Sequence, residues 1–389
     1  MAGYLFTFEK KSEGHLDAMR FGRYSTNMGI GWGSSTQGTL GDYITMRPGD
    51  SVYFFSDRII YGIGAIVEVM PGCPVLENYE GATNQSVSPD DVNPSEAILP
   101  RPPDKDGKPR VFRWVVSFEP DPLMFRRGVD MDDLLNSNPE AFRSLRVIWK
   151  RSFIKLDDTE EMAFRAAILR RNLDVLTQPS ADTIVEYDGL AERERMSTLA
   201  QRHDLSMKVG EFVRNARQRD GSLRSEMALE CALLHQWMAR DATTEAVFGR
   251  WDYLSHQVHA SPAKPVDYMD KMDVFGYRWI PGYAPIIEKY LVCELKKDVA
   301  KGEDLQQVMK YVDWVESEYA NGDYSMVSAF LVAQRFDMES IEAALPSTER
   351  WSLLSARPPK PLSWHDLTLV EYSTDDEGRV EFRVVRPDR

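Results

Sequence analysis

Glu294 and Lys296 stand two residues apart in the apolar run Tyr290-Leu-Val-Cys-Glu-Leu-Lys296 of a 389-residue chain. Side chains alternate faces along a strand, so this carboxylate and this ammonium group would project from the same side. At the edge of a buried strand, such a pair has the chemistry that a divalent-metal nuclease requires. The carboxylate can hold Mg²⁺ through oxygen, while the lysine orients an attacking water or neutralises charge developing on a phosphate. An ordinary ion pair on a sheet edge would use the same two residues. After a short spacer, Gln307-Val-Met-Lys-Tyr311 falls within a helix expected from about 304 to 319.

The elements around this segment follow an α/β order of helix, strands, helix and strand. A helix opens after Ser225, a candidate cap, and a strand covers Phe275–Ile280. A strand pair spans Ile286 to Lys296, and Ser325–Ala333 is a continuous apolar run suited to burial on both faces. This block is expected over 225–345, followed by a tail, 346–389, with a hairpin around Asp375-Asp-Glu-Gly378. A charged, helix-favouring connector is expected over 176–224.

Residues 1–175 look strand-rich. Tyr4-Leu-Phe-Thr-Phe8 alternates, and Asp50–Ser56 leads through a polar break at Ser56-Asp57-Arg58 into Ile59–Val69, as in a hairpin. Arg113–Phe118 is a further strand, and the polar stretch 71–110 reads as a long loop. Helical spacing is expected at Pro139–Leu145 and at Asp158–Leu169, the second capped by Asp158 or Thr159.

Composition narrows the setting. Hydrophobic residues make up 43% and charged residues 28%, ordinary values for a globular chain. No apolar run is long enough to span a membrane. The N-terminus lacks the pattern of a secretory signal. Cys73, Cys231 and Cys293 are too few and too scattered for a disulfide framework or a zinc site, so a cytoplasmic location is expected. The net charge of −14 argues against a nucleic-acid partner, but the charge is uneven: 101–224 holds 23 Lys and Arg against 21 Asp and Glu. Basic clusters recur there, including Arg143, Arg146, Lys150 and Arg151, and Arg214, Arg217, Arg219 and Arg224. Local patches govern backbone contact, although each cluster would also suit a solvated helix face.

With these residues in view, the third block resembles the PD-(D/E)xK nuclease superfamily, whose core places an Asp on one strand and Glu-x-Lys on the next, followed by a helix and a strand. Glu294-Leu295-Lys296 matches the second element, and Gln307-x-x-x-Tyr311 looks like a signature of some branches. Among these the chain is most similar to the Shedu family of antiphage nucleases. The metal-binding Asp should lie about ten residues before Glu294, where Pro281-Gly-Tyr-Ala-Pro-Ile-Ile-Glu-Lys-Tyr290 contains none. Ala284 occupies the expected place. An inactivating Asp→Ala change accounts for this better than decay, because Glu294, Lys296 and Gln307 all remain. Glu288 is too near Glu294 to come from a separate strand, and Asp273, farther upstream, stays open.

The resemblance implies roles. Residue 284, as Asp, and Glu294 would hold Mg²⁺ or Mn²⁺, with the Leu295 carbonyl as third ligand. Lys296 would position water, Gln307 would orient Lys296 or the phosphate, and Tyr311 would brace the helix. Glu230 would be an accessory carboxylate.

The N-terminal segment weakly resembles PUA/EVE-like β-barrel readers of modified bases, through Gly29-Ile-Gly-Trp-Gly33, Pro48-Gly-Asp50 and Tyr61-Gly-Ile-Gly64. Trp32, Tyr24, Tyr43 and Trp114 are candidates for stacking on a base, with core packing the better account of Tyr43 and Trp114. His235 reads as core. His256 and His259 read as structural residues in a loop.

The expectation is an α/β (α+β) chain acting as a metal-dependent DNA endonuclease in antiphage defence. An N-terminal sensor would accompany it, in a homo-oligomer of two or four copies. A non-catalytic nucleic-acid sensor with a degenerate site, a metabolic α/β enzyme and an interaction scaffold are the rivals.

Overall fold

A computed structural model describes residues 2–8, 14–28, 34–77, 112–147, 153–203, 205–260 and 270–386. The chain is mixed α/β and divides into two compact units, Met1–Lys208 and Val209–Arg389. The boundary runs through the expected connector. Its helix Gly189–His203 belongs to the first unit, and its helix Val209–Ala216, with a strongly apolar face, belongs to the second.

The first unit is built on a seven-stranded sheet of β1 (Gly3–Phe8), β2 (Arg23–Met28), β3 (Ser51–Ser56), β4 (Ile59–Ile66), β5 (Val75–Glu77), β6 (Phe112–Asp130) and β7 (Phe153–Leu156). The strand order is β2-β6-β4-β3-β1-β7, with β5 also on β6, and β1 runs parallel to β3 while the other pairs are antiparallel. The β3–β4 hairpin turns at Asp57 and Arg58, whose φ values of 50° and 66° are those of a two-residue turn matched to strand twist.

Two helices here escaped the sequence reading, Gly14–Phe21 and Ser34–Ile44. Pro139–Leu145 is a turn, while the preceding Met131–Ser137 is helical because the Asp130 carboxylate accepts the Asp132 N–H at its start. The helix Asp158–Arg171 is capped by Asp157, one residue before the expected cap.

That helix delivers Glu161, almost fully buried, into the sheet. Its carboxylate accepts from Ser51 Oγ at 2.6 Å, Tyr53 Oη at 3.1 Å and Arg165 Nε at 2.9 Å. Removing one member of a buried charged network strands the others. Glu161→Ala should therefore lower the unfolding free energy of this unit by about 3 kcal/mol, read from a denaturant titration. A loss within the scatter of surface substitutions would refute the network's role.

The aromatic residues considered for base stacking are core residues where they are described. Tyr24 stacks on Phe6 at 4.5 Å, and Tyr43 donates to the Trp114 carbonyl at 3.1 Å. All three of Tyr24, Tyr43 and Trp114 are buried. Trp32, Lys150 and Arg151 lie outside the described residues.

The second unit carries a six-stranded sheet of β8 (Tyr253–His259), β9 (Lys271–Trp279), β10 (Ile287–Ala300), β11 (Val327–Phe336), β14 (Leu367–Thr374) and β15 (Val380–Val385), in the order β15-β14-β11-β10-β9-β8. β12 (Arg350–Ala356) and β13 (Pro359–Trp364) form a separate hairpin. β10 pairs antiparallel with β9 and parallel with β11, and β11 pairs parallel with β14. The expected tail is therefore part of this sheet, because β14 satisfies the outer edge of β11. The helix Glu226–Met238 starts at Ser225, whose Oγ accepts the Ala228 N–H at 3.2 Å. It packs on β10, as does the helix Gly302–Glu318. Among the described residues no helix is long and apolar enough to cross a membrane.

Candidate functional site

The β9–β10 register ends its paired residues at Cys293 opposite Val274, so the next position sets Asp273 opposite Glu294. On the other side of β9, His256 pairs with Val274 and Val258 with Met272, which sets Gln257 opposite Asp273. Gln257, Asp273 and Glu294 thus form one row across β8, β9 and β10, on one face of the sheet. Lys296 follows two residues along β10 on the same face.

Asp273, left open by the sequence, is the carboxylate that faces Glu294 across the β9–β10 ladder. Its Oδ2 accepts the Leu295 N–H at 2.8 Å and its Oδ1 accepts from Gln257 Nε2 at 3.1 Å. Ala284 is exposed in the turn joining β9 to β10, away from this row. The physical reason is hairpin length. Facing residues grow farther apart in sequence with each step from the turn, and Glu294 lies well along β10. Glu288 is also outside the site, held by Arg278 at 2.9 Å.

Lys296 Nζ donates to Glu294 Oε1 at 2.8 Å and to Gln307 Oε1 at 3.3 Å, and lies 3.6 Å from Asp304. Gln307 Nε2 donates to Tyr311 Oη at 2.9 Å, one turn along the same helix. Tyr311 therefore fixes Gln307, and Gln307 fixes Lys296 against Glu294. On the far side, Glu230 projects from the helix Glu226–Met238. Its Oε1 is 2.7 Å from His256 Nδ1 and its Oε2 accepts from Gln257 Nε2 at 2.8 Å. His256 and His259 lie on β8, not in a loop, and His256 is buried against this carboxylate.

The electrostatics follow from setting the buried Glu230 and Glu294 and the half-buried Asp273 beside one ammonium group. Burial raises the Asp273 carboxyl well above the ordinary range, and the nearby charges of Glu294 and Glu230 raise it further. Burial also pushes Glu294 up to about 7, against the opposing pull of Lys296. Lys296 is held above the usual lysine range: burial works against its charge, and Glu294 outweighs that. Tyr311 is raised by burial and by Glu294.

One atom is left over. Glu294 Oε2 is buried with no N–H or hydroxyl donor on it, and the group it meets is the Asp273 carboxyl; the residue is only 2% exposed. A buried carboxylate oxygen without such a donor is costly. A hard divalent cation shared with Asp273 would satisfy it and offset the crowded negative charge. Among the described residues no group of three or more His, Cys, Asp or Glu side chains is arranged as a ready metal cage. Two carboxylates with waters completing the shell are nonetheless what Mg²⁺ commonly takes. The donor set fits such an ion, and the backbone carbonyl of Leu295 is the further oxygen that the resemblance implies.

The other expected contacts are more ordinary. Arg146 is exposed and donates to the Pro139 carbonyl, and Arg217 pairs with Asp376. Gln257 was not singled out in the sequence; its signal, a polar residue facing Asp273, exists only once the ladder is known.

Comparison with protein-family models and with curated proteins gives no match. Among solved structures, a hypothetical protein from Leishmania major matches with 14% identity over 45% of this chain and 97% of its own, at a TM-score of 0.25. At that score the likeness carries no argument.

Proposed function

We propose that the second unit is a divalent-cation-dependent phosphodiesterase of the PD-(D/E)xK type, with DNA as substrate, and that it resembles the Shedu antiphage nucleases. The observation that carries this reading is the buried Glu294 carboxylate, which faces Asp273 across the ladder and lies beside Lys296. Asp273 and Glu294 would hold Mg²⁺ or Mn²⁺, which when bound polarises the scissile phosphate and acidifies a water. Lys296, braced by Gln307 and Tyr311, is placed to hold the attacking water or the charge on the phosphate. The rival reading, a sensor with a degenerate site, rests on a missing carboxylate; the position of Asp273 opposite Glu294 supports the catalytic reading instead. A PUA/EVE-like sensing role for the first unit, and pairing of copies so that both strands are cut, belong to the same proposal.

The test incubates the full chain with linear and covalently closed DNA, and with RNA, in Mg²⁺ or in a chelator. DNA should be cut only with the cation, and Lys296→Ala should lower the rate about a hundredfold or more, the scale of a lost acid–base or charge-stabilising group. Cutting that ignores Lys296→Ala would refute the assignment, as would the absence of DNA cleavage under every condition.

A further inference from the structure

Gln257 is held in an unusual way. Its backbone has φ +50°, a left-handed conformation that residues with a Cβ rarely adopt. Its neighbours in β8 pair normally with β9, so the departure is local to this residue. The conformation accompanies one arrangement of the side chain: a single amide nitrogen donates to Glu230 Oε2 at 2.8 Å and to Asp273 Oδ1 at 3.1 Å. The amide thus presents its NH₂ end to both carboxylates, as a donor to two acceptors. His256 Nδ1, 2.7 Å from Glu230 Oε1, holds the far carboxylate from its other side. Asp273 is held in turn by the Leu295 N–H at 2.8 Å, next to Glu294 in the chain.

We propose that Gln257 is a positioning residue for the cation site: its amide ties Asp273 to the Glu230–His256 pair, so that the Asp273 carboxylate is aimed at Glu294 before any cation arrives. The inference rests on the divalent-cation reading of the pocket. In this assignment Gln257 acts through Asp273, to which it donates, and not on the cation itself. Preorganisation of this kind ordinarily changes metal affinity 10–100-fold.

The test reads binding, not turnover. Mn²⁺ is titrated into the full chain and the free ion is followed by electron paramagnetic resonance. Glu294→Gln serves as the site control, and thermal melts confirm that each variant is folded. Two variants separate the amide from the backbone. Gln257→Met keeps the length and the strained backbone but removes the donor, whereas Gln257→Gly removes the donor and relieves the strain. Both should weaken Mn²⁺ binding at least about tenfold. If Gln257→Gly binds as the natural chain does, the residue's role is confined to its backbone and the proposal falls. If neither variant changes affinity while Glu294→Gln does, the cation site stands and Gln257 has no part in it. If the natural chain binds no Mn²⁺, the cation reading itself fails and this inference fails with it.

Discussion

Asp273→Asn should abolish the proposed cation-dependent DNA cleavage, and Ala284→Asp should leave it unchanged. This is the sharpest expectation, because the two positions compete for one role. Asp273 faces Glu294 across the β9–β10 ladder, while residue 284 lies in the exposed turn that joins those strands. A carboxylate at 284 would be directed to solvent. Loss of a metal-holding carboxylate removes several kcal/mol of charge stabilisation, which at about 1.4 kcal/mol per tenfold means a rate loss of about a thousandfold or more. Cleavage kinetics on one plasmid substrate compare the natural chain with both variants. Activity gained by Ala284→Asp, or retained by Asp273→Asn, would overturn the site as drawn.

The second large effect is an inversion between stability and activity. Glu294→Gln should end cleavage yet stabilise the second unit when no cation is present. The Glu294 carboxyl is raised by burial to about 7 in the folded chain, above the ordinary carboxylate value of about 4.3. Its folded pKa is raised, so its favourable contribution is complete below the ordinary carboxylate range and is lost as pH rises through about 7. At alkaline pH the buried charge then costs on the order of 3 kcal/mol relative to a neutral amide of the same shape. In chelator, Glu294→Gln should melt higher than the natural chain at alkaline pH, and the gap should close at acidic pH. Added Mg²⁺ should stabilise the natural chain and not the variant. A variant that melts lower at alkaline pH would show that the pocket does not pay this cost.

Sequence spacing made part of this site readable. Glu294 and Lys296 follow from strand alternation, and Gln307 and Tyr311 from one helical turn, and the structure joins all four through hydrogen bonds. Asp273 was kept only as a distant possibility, because its partner is set by the ladder register and not by a fixed number of residues. The turn at 280–286 lies far from Glu294, so the facing residue is 21 positions upstream. Glu230, expected as an accessory carboxylate, does come beside Asp273, but Gln257 between them needed β8 to be placed first.

In the first unit the alternating strands were legible. The helix Ser34–Ile44 was not, being rich in serine, threonine and glycine, nor was Gly14–Phe21, only eight residues long. Aromatic residues are ambiguous from sequence alone: Tyr24, Tyr43 and Trp114 could stack on a base or fill a core, and their burial shows that they fill a core. In the second unit, the hairpin strands of the C-terminal segment were visible. Their parallel pairing of β14 with β11 was not, since such a contact links residues far apart in the chain.

The central claim is hydrolysis of a phosphodiester by the Asp273–Glu294–Lys296 pocket. Its most direct test runs the cleavage reaction with Mg²⁺ in water enriched in oxygen-18 and weighs the product oligonucleotides by mass spectrometry. The account predicts one heavy oxygen at each newly formed phosphate end with the natural chain, and no products with Asp273→Asn or in chelator. Products formed equally by Asp273→Asn, or no cleavage of DNA by the natural chain with Mg²⁺ or Mn²⁺, would contradict it.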